Sequence, residues 1–255
     1  MSSSRLPGKV LLPLAEKPVI HHIVDRVALC KNVDKIIVAT SNENSDDKLS
    51  DYCDEKGIDI YRGSLNNVLS RYCDILEHND YKYCVRITGD CPLIHPPFID
   101  AQIDALKAYN ADLIWTKMQS SVLEGQGVKS KNAVLHVRAK SKDPDNLEHV
   151  GSKYFLNNPE EFNFVELKIP DYFNNYQYRL TVDQVEDYEF LSTIYNNHWS
   201  GSPINLMEVL EWLNSTNKCM IKNKNVQHSK INQQLNQKKR SFKPITVGTF
   251  NWSGV

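Results

Sequence analysis

Two groups of residues in this 255-residue chain have the types and spacing to do chemistry. The first is Ser2-Ser3-Ser4-Arg5-Leu6-Pro7-Gly8-Lys9, followed at once by the apolar run Val10-Leu11-Leu12. Small residues and glycine let backbone N–H groups come close to phosphate oxygens. Arg5 adds a planar fork of donors and Lys9 a compact point charge, so the loop suits a polyphosphate. The other reading is a flexible basic N-terminus that binds nothing. The glycines and Ser/Thr are wrongly placed for a G-x-x-x-x-G-K-[ST] phosphate loop. The second group is a pair of distant carboxylates, Asp90 and Asp183. Asp90 lies just past the β-like run Tyr83–Thr88, and Asp183 follows the run Tyr178–Val182. Open α/β sheets bind ligands off the carboxyl ends of their strands. Each aspartate also has a bland reading: Asp90 as a turn cap before Pro92, Asp183 as the N-cap of a helix carrying Glu186 and Asp187.

The elements that position these residues follow from hydrophobic period. Val19, Ile20, Ile23, Val24, Val27 and Ala28 recur at helical spacing behind Pro18. Lys35–Thr40 is a β-branched run that reads as a buried parallel strand. Ser45-Asp46-Asp47 opens a helix that Gly57 closes. Strands then follow at 58–61, 83–88 and 111–115, with helices at 68–76 and 98–106 between them. This alternation predicts an α/β fold with a mainly parallel sheet. Residues 116–182 change rhythm, with weak strands at Ala133–Val137 and Phe164–Ile169 around a helix-like stretch at 145–157. They read as a small mixed β insertion in the same domain. Glu186–Tyr195 and Leu206–Leu213 read as helical. The domain therefore spans 1–213, and 214–255 is a basic tail rich in Asn, Lys and Gln, whose end, Pro244–Trp252, has the pattern of a strand.

The carboxyl-end rule also marks Thr40 and Arg62. Arg62 with Gly63-Ser64 either serves a base or sugar or forms an ordinary turn. Arg86 points toward the site or pairs with a buried acid. His149 contacts a sugar or is a capped core histidine, and His21 and His22 are structural or solvated.

Composition sets bounds. A net charge of −1 gives no general attraction to nucleic acid or membrane. There is no apolar run of about 18 residues, and the polar start followed by Pro-Gly is not a signal peptide. The six cysteines, at 30, 53, 73, 84, 91 and 219, form no C-x-x-C pair and no zinc pattern. They read as reduced, mostly buried thiols of a cytoplasmic protein.

The serine-rich loop resembles the S-x-R-[LF]-P-G-K motif of the cytidylyltransferases that activate acidic sugars, the acylneuraminate and 3-deoxy-manno-octulosonate enzymes, and most of all the spore coat polysaccharide biosynthesis branch. Further matches run in the same order: Glu16-Lys17-Pro18, Ile37–Thr40, Tyr61–Ser64, Val85–Ile94, Glu148-His149-Val150 and Tyr178–Asp183 with Glu186-Asp187. The likeness covers about residues 1–200. It implies a three-layer, Rossmann-like fold of the nucleotide-diphospho-sugar transferase type. It implies transfer of a cytidylyl group from CTP to a sugar, with pyrophosphate released, in surface polysaccharide biosynthesis. It implies Mg²⁺ held by Asp90 and Asp183, with Arg5 and Lys9 on the leaving pyrophosphate. Ser3, Ser4, Gly8, Thr40, Arg62 and Arg86 become nucleotide contacts, and His149, Tyr178 and Arg179 face the sugar. A homodimer through residues 116–182 goes with it.

The chain departs from the pattern in places. The pattern opens with a hydrophobic strand ending in Gln-Ala-Arg, whereas Met1 stands where a relative is already inside the loop. The expectation is a true start upstream; the alternative is a fragment with impaired function. Gly125-Gln126-Gly127 stands where the pattern has Gly-x-Asp, and Gln184-Val185 where it has Thr-Pro. Two rivals remain: a nucleotide-sugar-dependent glycosyltransferase, and a non-catalytic nucleotide-binding remnant.

Overall fold

The computed structural model describes residues 3, 5–117, 122–176, 178–215 and 242–254. Ser2, Ser4, Cys219 and most of the basic tail lie outside the described residues. A 3₁₀ turn, Lys9–Leu11, leads to a short hairpin, β1 (Pro13–Leu14) and β2 (Lys17–Pro18), and then α1 (Val19–Val27). Next come β3 (Val38–Ser41), α2 (Asp47–Lys56), β4 (Ile60–Gly63), α3 (Val68–Glu77), β5 (Tyr83–Ile87), α4 (Pro96–Tyr109) and β6 (Leu113–Trp115). Then follow β7 (Gln126–Ser130), α5 (Lys131–Lys140), α6 (Pro144–Glu148), α7 (Ser152–Asn157) and β8 (Phe164–Lys168). The described chain ends with α8 (Val185–His198), α9 (Leu206–Ser215) and β9 (Thr246–Asn251).

β3 and β4 pair in parallel, from Val38↔Ile60 to Ser41↔Gly63. The larger sheet has the order β5-β7-β6-β8-β9. Within it β7 is antiparallel to β5 and β6, while β6, β8 and β9 run parallel. β7 is thus the one reversed strand among the described strands of this sheet. The carboxyl ends of β5, β6, β8 and β9 share one edge, where this kind of sheet binds ligands. The 116–182 portion gives the sheet β7 and β8, one antiparallel and one parallel, which is its mixed character. The final segment, with its strand pattern, is β9.

Two apolar layers sandwich the sheet. Val165 and Leu167 of β8 pack with α1, α2, α4, α8 and α9, whereas Phe164 of β8 and Leu113 of β6 pack with α3, α5 and α7. Strand alternation sends neighbouring residues to opposite faces in this way. Two expectations need correction. Ala133–Val137 is not a strand but the centre of α5, because Ala133, Val134 and Val137 bury one helical face and the Ser130 hydroxyl caps the helix by accepting from the Ala133 N–H. The stretch 145–157 is two short helices broken at Gly151, whose φ of 78° a helix does not accommodate. No helix among the described residues is long and apolar enough to cross a membrane.

Candidate active site

β5 ends at Ile87 and the chain turns through Thr88-Gly89-Asp90. The Thr88 N–H donates to the Gly125 carbonyl at 3.2 Å, and Thr88 Oγ1 is 3.0 Å from Cys91 Sγ. Gly125 has φ of 76°, and a Cβ there would lie 2.7 Å from Cys91 Sγ. Only glycine combines that backbone with that approach. The next loop, Cys91–His95, is buried and pinned from three sides. Arg26 Nε donates to the Ile94 carbonyl at 2.6 Å, Tyr195 to the Pro92 carbonyl at 3.0 Å, and the His95 N–H to Gln126 Oε1 at 2.8 Å. These bonds fix where Asp90 stands.

Asp183 is fixed to the same place by backbone. The Val182 N–H donates to the Asp90 carbonyl at 2.8 Å, so the two aspartates sit on adjoining loops. Behind Asp183, fully buried Asp187 accepts from the N–H groups of Asp183 (3.1 Å) and Gln184 (2.9 Å). Gln184, not Asp183, is the N-cap of α8, in a reciprocal capping box with Asp187. That frees the Asp183 carboxylate from the capping role that the sequence left open.

The first-loop cations meet these carboxylates. Gly8, at φ 71°, turns the chain into the 3₁₀ segment that begins with Lys9. Lys9 Nζ lies 2.5 Å from Asp90 Oδ2 and 2.8 Å from Asp183 Oδ1. Arg5 reaches Asp183 Oδ1 at 3.1 Å, and Arg179 bridges Asp183 (2.8 Å) and Asp187 (2.9 Å). Three carboxylates therefore meet three cations, and the cluster is neutral as it stands. Burial pulls the Lys9 pKa down, but the charges and hydrogen bonds of Asp90 and Asp183 outweigh it and leave the ammonium above its ordinary value. Burial pushes Asp183 up, and Lys9, Arg5 and Arg179 together hold it below the ordinary carboxylate value. Arg5 has 42% of its side chain exposed, against 8% for Arg179. Arg5 is thus the cation open to a ligand, and Arg179 is the one built into the wall.

The remaining candidates fall in different places. Ser3 Oγ accepts from the Leu6 N–H at 3.3 Å, inside the phosphate-like loop. Thr40, expected to touch nucleotide, is buried, and its hydroxyl donates to Asp46 at 2.6 Å. Asp46 also accepts from the Ser41 hydroxyl and N–H; burial opposes its charge, yet these bonds hold it well below the carboxylate range. Arg62 donates to the Ser41 and Glu43 carbonyls at 3.0 Å and pairs with Asp47 at 2.7 Å, so it braces the loop between β3 and α2. Arg179, expected to face a sugar acid, turns inward to Asp183 and Asp187 instead. The Tyr178 hydroxyl donates to Asn214 of α9 at 3.2 Å. Arg86 and His149 lie on the α3/α6 side of the sheet, half-buried. His21 and His22 are structural, bonded to the Tyr52 hydroxyl and the Leu14 carbonyl. The described cysteines are free thiols, and burial pushes those at 30, 73 and 91 up to about 12. The sequence reading missed Asp187, Arg26, Tyr195 and Gly125. Only Asp187 had a signal there, its spacing of three from Gln184.

A sheet of this order, with paired aspartates past its strand ends and a basic glycine loop clasping them, is the frame of a nucleotide-binding α/β transferase. The sequence profile of the cytidylyltransferase family matches residues 1–211, and the chain belongs to that family. It is a nucleotidyltransferase that uses CTP. It is 31% identical over 218 residues to the spore coat polysaccharide biosynthesis protein SpsF of Bacillus subtilis, covering 84% of this chain and 90% of that one. It is also 31% identical, over 138 residues and 52% of each chain, to a 3-deoxy-manno-octulosonate cytidylyltransferase of Haemophilus influenzae. A solved cytidylyltransferase from Leptospira borgpetersenii superimposes with a TM-score of 0.78 at 28% identity, covering 89% of this chain and 95% of that one.

Proposed function

We propose that the protein transfers the cytidylyl group of CTP to a hydroxyl of a sugar, releasing pyrophosphate, with Mg²⁺ held between Asp90 and Asp183. The carrying observation is the Lys9 ammonium lodged between those two carboxylates. A cation already has its place there, bounded by hard oxygens. Among the described residues no cluster of three or more His, Cys, Asp or Glu forms a metal cage. The two carboxylates suit Mg²⁺, which takes one or two, keeps waters, and completes its shell with substrate phosphates. When bound, the ion supplies charge neutralisation at the α-phosphate as the attacking oxygen arrives.

The chain's own residues do the rest. An incoming triphosphate competes with the aspartates for Lys9 and for exposed Arg5. Once Lys9 turns to the phosphates, Asp90 loses its cation and Asp183 keeps only Arg179, which it shares with Asp187. Arg179 and Asp187 keep Asp183 in place during that exchange, and the Val182 N–H keeps Asp90 beside it. The sugar hydroxyl oxygen then bonds to the α-phosphorus and gives its proton to solvent, while the bond to the bridging oxygen of the β-phosphate breaks and pyrophosphate leaves with that electron pair. Lys9 and Arg5 stay with the departing pyrophosphate. No protein nucleophile is needed, and positioning with electrostatic stabilisation carries the rate. The spore coat and octulosonate relatives support a sugar acceptor used in surface polysaccharide. A product assay tests the reading. Pyrophosphate formed from CTP and a sugar supports it, and release of CMP or UDP from a sugar nucleotide supports a glycosyltransferase instead.

A further inference from the structure

The residues before the two aspartates share a pattern, Thr88-Gly89-Asp90 and Thr181-Val182-Asp183. Each threonine stands two positions ahead of its carboxylate, and the fold brings both hydroxyls to one atom. Cys91 Sγ lies 3.0 Å from Thr88 Oγ1 and 3.6 Å from Thr181 Oγ1. The same sulfur donates to Asp90 Oδ1 at 3.6 Å. A thiol has one proton, and the carboxylate takes it. The sulfur is then left to accept from both threonine hydroxyls, and donors chained in this way strengthen the last bond of the chain. Backbone bonds close the same unit: the Cys91 N–H donates to the Thr88 carbonyl at 3.3 Å, and the Val182 N–H to the Asp90 carbonyl at 2.8 Å. Cys91 is 7% exposed, so little water reaches these groups.

A third loop is built around the sulfur as well. A Cβ on Gly125 would lie 2.7 Å from Cys91 Sγ and 2.9 Å from Thr88 Oγ1. The sulfur therefore sits where the Asp90 turn, the Asp183 loop and the Gly125 turn meet. The carboxylate oxygens divide to match. Asp183 gives Oδ1 to Lys9 and Arg5, and Oδ2 to Arg179. Asp90 gives Oδ2 to Lys9 and Oδ1 to Cys91. In each, one oxygen faces the cation between them and the other is tied to the wall. The tie on Asp183 is a charged guanidinium; the tie on Asp90 is a thiol, a weak donor by itself. The orientation of Asp90 thus depends on the whole set of contacts around the sulfur.

We infer that Cys91 is a positioning residue: its thiol, backed by the hydroxyls of Thr88 and Thr181, turns Asp90 Oδ2 toward the cation and sets the gap between Asp90 and Asp183, an inference that rests on the metal-dependent transfer proposed above. Cys91 is neither nucleophile nor metal ligand and acts through Asp90. The plainer alternative is a thiol that only fills the core. Cys73 is the comparison for that case, since it is fully buried in the opposite layer, where its thiol donates to the Val134 carbonyl at 3.8 Å.

The test uses the full chain. Mn²⁺ alone is titrated by calorimetry into the nucleotide-free parent, Cys91→Ala, Cys91→Ser, Thr181→Val and Cys73→Ala. CTP is titrated into the same samples without metal, and thermal unfolding is recorded for each. Cys91→Ala is expected to bind Mn²⁺ about tenfold more weakly, while metal-free CTP affinity stays within about twofold of the parent. Thr181→Val, which removes one hydroxyl at nearly the same shape, shifts Mn²⁺ affinity the same way by about threefold. Cys91→Ser, with a donor on a shorter bond, recovers part of the loss. Cys73→Ala lowers Tm and keeps the parent's Mn²⁺ affinity. Three results overturn the inference: parental Mn²⁺ affinity in Cys91→Ala, an equal loss in Cys73→Ala, or a tenfold loss of metal-free CTP affinity in Cys91→Ala, which would place the thiol at the nucleotide. If Cys91→Ala does not fold, Thr181→Val decides, and parental Mn²⁺ affinity there overturns the inference. A parent that binds no Mn²⁺, with or without CTP, overturns it together with the proposed metal site. A parent that binds Mn²⁺ but forms no pyrophosphate from CTP and any sugar overturns the proposed transfer, and with it the reading on which Cys91 was placed.

Discussion

Lys9 Nζ lies 2.5 Å from Asp90 Oδ2, although 81 positions separate the two residues. The same ammonium reaches Asp183, 174 positions away, so one side chain from the first loop joins both aspartate loops. In the unliganded protein the cation that fits this site is supplied by the chain itself. On the proposed function, binding of metal and release of Lys9 to the triphosphate are two halves of one exchange.

Lys9→Ala should therefore separate metal binding from catalysis. Without nucleotide, the variant binds Mn²⁺ at Asp90 and Asp183 more tightly than the parent, read by calorimetry. With CTP, turnover falls roughly 10²–10³-fold, because a donor to the phosphates is gone. Unchanged metal affinity in the variant contradicts the exchange.

Asp187 has no exposed surface and holds Arg179 together with two backbone N–H groups. Removing one partner of a buried ion pair leaves an uncompensated charge, at a loss of about 3–5 kcal/mol. Asp187→Asn should lower the unfolding free energy by that order in urea titrations. A change under about 1 kcal/mol would mean that the pair is dispensable.

The loop that carries Asp90 depends on Gly125. An alanine there meets Cys91 Sγ and Thr88 Oγ1 under 3 Å away in a left-handed backbone. Strain of this kind amounts to about 1–3 kcal/mol before any relaxation of the loop. Gly125→Ala should lower Tm and kcat together, whereas Gly57→Ala, with open space around it, lowers Tm alone.

His95 makes stability pH-dependent. Burial, then the charge of Arg26, lowers its pKa to about 4, against a hydrogen bond with the Gly254 backbone. In the unfolded chain histidine titrates near 6.5. Between those values the unfolded state binds the extra proton, so stability is full above about pH 6.5 and declines as pH falls toward 4. The loss is of order 3 kcal/mol. His95 packs against Phe173 and Trp252, so His95→Phe should fold and flatten the decline in denaturation measured from pH 7 to 4.5. An equal slope in both proteins would locate the dependence elsewhere.

Much of this arrangement was legible in the sequence because it is local. The strands at 83–87 and 113–115 and the helix behind Pro18 follow from period and turn residues, and both aspartates were marked by position after a β-like run. What was not legible is long-range partnership. Nothing near Arg179 signals that its acids are Asp183 and Asp187 and not a ligand, and nothing near Thr40 signals that Asp46 takes its hydroxyl. The Ala133–Val137 run misled because valines favour strands, yet three apolar residues at helical spacing buried one face of α5. Arg26 shows the same limit. It is a cation in an amphipathic helix by pattern, and only the fold brings the Ile94 and Ile204 carbonyls to it.

The most direct measurement of the central claim is CTP binding with and without Mg²⁺, in the parent and in Asp90→Asn and Asp183→Asn. The account predicts that Mg²⁺ tightens CTP binding at least tenfold in the parent and that this gain disappears in both variants. CTP binding that gains equally from Mg²⁺ in all three proteins would contradict it.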